Sequence, residues 1–179
     1  MKHPAAIFSL IAFVAIGLLT SNSLCQKTAS APAAKTACGP EKVKFKVKVD
    51  RNQRALLKPE PGKALIYMFQ EYPEMSGLPT LIMKVGLDGT WVGANQKRSY
   101  FAFKVDPGVH HICVSGQWPF WPPVSLARVV AKPDAIYYFG TQFYCDTSGG
   151  CGPLNVEPMN EDEAKLLIQT SAYSISHPK

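Results

Sequence analysis

His110, His111 and Cys113 are the side chains in this sequence best suited to chemistry. Neighbouring residues on a strand point to opposite faces, so His110 and His111 cannot chelate one metal from there. His111 and Cys113 share a face. That spacing permits a Cys–His nucleophile pair, or two ligands of a metal site, provided the thiol is free. A disulfide at Cys113 excludes both, and no third member of a triad is identifiable. The remaining motifs of catalysis are missing: no G-x-S-x-G elbow, H-E-x-x-H helix, phosphate-binding glycine loop or C-x-x-C pair occurs. Asp88, Asp106 and Asp134 each stand beside Gly or Pro, where a short acceptor side chain serves a turn. The sequence therefore assigns no catalytic residue, no metal ligand and no cofactor. His110 is expected to pin the Pro107–Gly108 turn by a hydrogen bond.

Two segments suit binding better than catalysis. Gln117-Trp118-Pro119-Phe120-Trp121-Pro122-Pro123 sets three large rings among prolines, which remove backbone donors and hold the chain extended. Trp118, Phe120 and Trp121 either lid one end of the core or present a stiff surface for a sugar ring or a protein partner. Val43 to Val49 alternates strictly, with Lys44, Lys46 and Lys48 on one face and Val43, Phe45, Val47 and Val49 on the other. Such a lysine row protects a sheet edge from pairing with other chains; alternatively it forms a cationic strip for an anionic polymer.

The elements that must position these residues are strands. Lys63–Gln70, Thr80–Leu87, Thr90–Gly93, Ser99–Val105, Val109–Ser115, Val124–Ala131 and Ala135–Cys145 are apolar or aromatic runs separated by turn residues. Asp88-Gly89 between two of them predicts a type I′ hairpin, since both central residues need positive φ. Asn160 followed by Glu163 predicts the capped start of a short helix over Glu161–Gln169, with its acids at the positive end of the dipole. Ser171–Ser176 is a last strand or a tail. The pattern predicts an all-β chain, an antiparallel β-sandwich with one short C-terminal helix.

The amino terminus reads as an export signal. Lys2 precedes an apolar run from Ala5 to Leu19, too short for a spanning helix of about 20 residues but right for a signal core. Ser23 and Cys25 fit a cleavage site before Gln26, so residues 1–25 are expected to be removed, leaving no integral membrane segment. A lipid anchor on Cys25 is the alternative, although Leu24 is a poor residue before a lipidated cysteine. Residues 26–40 are expected to be a flexible leader and 41–176 a single domain. Of the cysteines left, Cys38, Cys113, Cys145 and Cys151 form an even set, which in an oxidising compartment means two bridges with three connectivities. A local Cys145–Cys151 bridge would leave Cys38 to staple the leader onto the strand carrying Cys113.

The formal charge of +6 is concentrated. Residues 27–63 hold ten Lys or Arg against three acids, whereas residues 64–179 hold eight against ten. Export and the acidic balance of the larger part argue against a nucleic acid partner.

Four pieces in order resemble a family of exported bacterial domains, domain of unknown function 2846. They are Pro61-Gly62-Lys63-Ala64-Leu65-Ile66-Tyr67, Gly86-Leu87-Asp88-Gly89 with Trp91-Val92-Gly93, Pro107-Gly108-Val109-His110, and Ile136-Tyr137-Tyr138-Phe139. The resemblance spans roughly residues 59–170. It implies a transthyretin-like β-sandwich in the periplasm or secreted, and brings no activity and no catalytic residues. The expected function is non-catalytic binding or structural support, with an envelope polysaccharide or a protein as partner. A small Cys/His-dependent hydrolase or transferase and a membrane-tethered lipoprotein are the alternatives.

Overall fold

The computed structural model describes residues 37–52, 56–71, 81–117, 124–142 and 154–179. The signal segment 1–25, most of the leader, Trp118, Phe120, Trp121, Cys145 and Cys151 lie outside the described residues.

Among the described residues the elements follow in the order β1 (Phe45–Asp50), β2 (Ala64–Gln70), β3 (Ile82–Leu87), β4 (Thr90–Gln96), β5 (Ser99–Val105), β6 (Gly108–Gly116), β7 (Ser125–Ala131), β8 (Ile136–Gln142), β9 (Asn155–Pro158), α1 (Glu161–Thr170) and β10 (Ala172–Pro178). They form a six-stranded sheet, β1-β10-β5-β2-β8-β9, and a four-stranded sheet, β4-β3-β6-β7. The all-β sandwich expected from the strand pattern is the architecture observed. Its pairing is not wholly antiparallel, however: β2 runs parallel to β8, and β10 parallel to β5.

The mixed pairing has a cause in β2. Its residues ALIYMF are apolar without alternation, and all seven positions of the strand are buried. A strand of that kind must be covered on both faces, as parallel strands usually are. Ile66 and Met68 face the second sheet and pack with Met83, Val85, Phe101, Ile112 and Val114. Leu65, Tyr67 and Phe69 face the other way and pack with Tyr100 and with Ala164 and Ile168 of α1. Each of the buried Leu, Ile, Val, Met and Phe side chains among them contributes on the order of 1.5–3 kcal/mol by leaving water. The helix is therefore a third layer, not an appendage. The aromatic layer beneath it is continuous, with Tyr67 5.4 Å from Tyr138 and Phe69 5.5 Å from Tyr100 between ring centres. Burial pushes the Tyr67 hydroxyl up to about 12, so it stays protonated; it accepts from the Leu57 N–H at 2.7 Å.

Both predicted local motifs form. Asp88 and Gly89 take φ of 48° and 88°, as the tight β3–β4 turn requires. Asn160 accepts from the Glu163 N–H at 2.8 Å, and the Glu163 carboxylate accepts in return from the Asn160 side-chain amide at 3.1 Å. The strand β10 is the last-strand alternative for the C-terminal residues, and β9 is a strand that the pattern did not predict.

Candidate functional site

Cys113 lies in β6 on the outer face of the smaller sheet, fully buried, and is joined to Cys38 with the two Cα atoms 5.2 Å apart. The staple expected between leader and strand is present. Its consequence is chemical: sulfur in a disulfide has no thiolate, so His111 and Cys113 as placed cannot act as a nucleophilic pair. Ala37 and Cys38, which the sequence reading assigns to the leader, are buried with Cys113 beside Trp91 and Leu126.

The chain from Ala37 to Val43 is strapped across that face by more than the disulfide. Gly89 N–H donates to Ala37 O at 3.0 Å, and the Trp91 indole N–H donates to Pro40 O at 2.8 Å. The Lys84 ammonium donates to Val43 O at 3.2 Å and to Glu41 O at 3.4 Å, and lies 4.2 Å from the Trp91 ring centre. Lys84 is only 6% exposed. Burial lowers its pKa, with Glu41 acting the other way. Two carbonyls and an aromatic face take over much of the solvation that the ammonium loses. The sequence reading missed Lys84, because an outward lysine on a strand looks the same whether water or a strap covers it.

A second polar cluster ties two turns together. His110 Nδ1 lies 2.6 Å from Asp88 Oδ2, and Nε2 lies 2.7 Å from Asp106 O. Asp88 Oδ1 accepts from the His111 N–H at 2.8 Å. His110 does pin the turn before Gly108, as expected, but it also holds the β3–β4 hairpin. Both ring nitrogens face acceptors, so the arrangement suits the imidazolium, in which both are donors. Burial acts to lower the His110 pKa, but the bonds to Asp88 and Asp106 outweigh it and the value is raised. Burial likewise acts to raise Asp88, which His110 and the His111 N–H pull below its ordinary value. The cluster is half-open and structural.

The third cluster is cationic. β1 is an edge strand, with Lys44, Lys46 and Lys48 exposed. On the neighbouring strand β10, His177 stands opposite Lys46 in the register, and Lys179 N–H donates to Lys44 O at 2.8 Å. Among the described residues, none of the three lysines has a carboxylate within ion-pair distance.

Gln117, the first residue of the aromatic segment, is tied to this same edge. Its side-chain carbonyl accepts from the Phe45 N–H, and its amide donates to Phe45 O at 3.0 Å. The side chain thus acts as one more rung of a ladder beyond β1. The root of the Trp118–Trp121 segment is held beside the residue that separates Lys44 from Lys46, which no sequence spacing indicated.

Among the described residues no three His, Cys, Asp or Glu side chains are grouped to hold a metal ion, and no helix is long and apolar enough to cross a membrane. Comparison with family models, with curated proteins and with solved structures finds no match to this chain.

Proposed function

We infer that this is an exported, non-catalytic binding domain whose ligand is an anionic envelope polysaccharide, held at the β1 corner. The observation that carries the inference is the Gln117–Phe45 double hydrogen bond. It brings the root of a segment rich in Trp and Phe to the start of a row of exposed lysines. A charged sugar polymer presents the two features such a corner recognises: carboxylate, phosphate or sulfate groups for Lys44, Lys46 and Lys48, and apolar ring faces on which Trp118, Phe120 and Trp121 can stack. A protein partner would use the rings but gains less from the exposed lysine row.

The Cys38–Cys113 bridge supports an oxidising compartment, where such bonds persist. The Lys2-to-Leu19 pattern and the resemblance to domain of unknown function 2846 support export to the bacterial periplasm or beyond. Retention of the full mature protein on an immobilised anionic polysaccharide, compared with a neutral one of the same backbone, tests the reading. Equal retention on both would remove it.

A further inference from the structure

The turn between β3 and β4 carries a reactive dipeptide. Asp88-Gly89 is the single Asp-Gly pair in the sequence, and no Asn-Gly pair occurs. Aspartate before glycine is prone to imide formation, because glycine has no side chain to shield its amide nitrogen. Gly89 N attacks Asp88 Cγ, and the new C–N bond closes a five-membered succinimide. One carboxylate oxygen leaves as water, taking the amide proton and one proton from solvent. Water then opens the ring at either carbonyl. Opening at the main-chain carbonyl routes the backbone through the β-carbon and leaves isoaspartate. One water is lost and one regained, so the change is an isomerisation that needs no co-reactant.

The fold requires this pair. A type I′ turn takes positive φ at both central residues, and Asp88 and Gly89 adopt 48° and 88°. Burial does not protect it, since the Asp88 side chain is 42% exposed. Hydrogen bonds hold the two reacting groups instead.

The electrophile is fixed at both oxygens. Asp88 Oδ1 accepts from the His111 N–H at 2.8 Å, and Oδ2 lies 2.6 Å from His110 Nδ1. With both oxygens held on β6, Cγ is not free to swing onto the Gly89 nitrogen. Burial acts to raise the Asp88 pKa, but the bonds to His110 and the His111 N–H bring it below its ordinary value. The group is therefore an ionised carboxylate, a poorer electrophile than the acid. The nucleophile is engaged as well. Gly89 N–H donates to Ala37 O at 3.0 Å, and the neighbouring Cys38 is bonded to Cys113 of β6. The Asp88 N–H donates in turn to His111 O at 3.1 Å.

We propose that Asp88-Gly89 is a latent isoaspartate site, kept closed by the His110 clamp on the carboxylate and the disulfide-anchored strap on the amide. Release of either opens it. Conversion adds one methylene to the main chain of a two-residue turn, so the hairpin loses the register that the turn sets. The proposal gives the clamp and the strap a shared role and does not depend on the polysaccharide reading.

The test is ageing of the full mature protein at neutral pH, with isoaspartate at position 88 counted by peptide mapping. The same protein unfolded in guanidinium gives the unguarded rate. The folded parent should convert at least tenfold more slowly than the unfolded chain. Folded His110→Gln and folded Cys38→Ser/Cys113→Ser should each convert about threefold faster than the parent or more, as loss of a net hydrogen bond implies. His110→Gln keeps the disulfide, so it decides the matter by itself if removing the bridge unfolds the chain. Gly93→Ala is the control: it crowds Phe101 and touches neither guard, so it should age as the parent does. A parent that converts as fast as the unfolded chain would overturn the proposal. So would His110→Gln or a folded disulfide variant that ages no faster than the parent, or Gly93→Ala ageing as fast as His110→Gln.

Discussion

The imidazole of His110 bridges the Asp88 carboxylate at 2.6 Å and the Asp106 carbonyl at 2.7 Å, joining the β3–β4 turn to the β5–β6 turn. This places a titratable group between two hairpins of the smaller sheet. The folded pKa of His110 is raised above 6.5, so its stabilisation is complete below about 6.5 and is lost as pH rises through the folded value. The folded pKa of Asp88 is lowered from 3.8, so its share is present above that pH and is lost as pH falls through the folded value. Thermal stability should therefore peak between about pH 4 and about pH 6.5 and decline toward pH 9. His110→Gln should cost about 1–2 kcal/mol at pH 6 and flatten the alkaline decline. Solvent access to Asp88 keeps the effect at the lower end. A melting curve series showing the same alkaline decline in His110→Gln would contradict this account of the clamp.

The strap predicts a different signature. Cys38 and Cys113 are 75 residues apart, and closing a loop of that size restricts the unfolded chain. Replacing both by Ser should lower stability by about 2–4 kcal/mol. The sandwich should survive, because Ala37, Cys38 and Cys113 form a cluster separate from the two main cores. Release of residues 37–43 should uncover the Lys84 amine. Acylation of Lys84 followed by peptide mass mapping should be slow in the oxidised protein and fast in the double variant. Equal rates would mean that the disulfide does not hold the strap.

The close approach between β4 and β5 can be tested at one glycine. A Cβ added at Gly93 would fall 2.5 Å from Phe101 Cε2 and 2.7 Å from Phe101 Cζ. Gly93→Ala should cost about 1–3 kcal/mol by overpacking. Adding Phe101→Leu should recover part of that loss, and a double-mutant cycle from denaturant melts measures the coupling. Simple additivity would show that the two positions do not meet.

The strands, the type I′ turn at Asp88-Gly89 and the Asn160 cap were legible because each rests on local chemistry. The parallel pairs were less so. The unbroken apolar run of β2 is a sign of cover on both faces, but deciding that α1 and β8 supply it requires knowing which distant elements meet. β9 is four residues, with Val156 its single buried one, too short to show a period. Lys84 and Gln117 illustrate the same limit at the site. Burial of the first and the bridge made by the second depend on residues 41–43 and 45, tens of positions away in the chain. The Cys38–Cys113 bridge was deducible only by first pairing Cys145 with Cys151.

The measurement closest to the central claim follows binding of an anionic polysaccharide against salt for three proteins. They are the parent, Lys44→Gln/Lys46→Gln/Lys48→Gln, and Trp118→Ala/Trp121→Ala. Charges at an exposed edge are screened over about 10 Å at 0.1 M salt, so parental affinity should fall steeply between about 0.05 and about 0.3 M. The lysine variant should bind at least tenfold more weakly at low salt and lose most of the salt dependence. The tryptophan variant should weaken at all salt concentrations while keeping the parental slope. Unchanged affinity in both variants, or parental binding indifferent to salt, would contradict a polysaccharide site at the β1 corner.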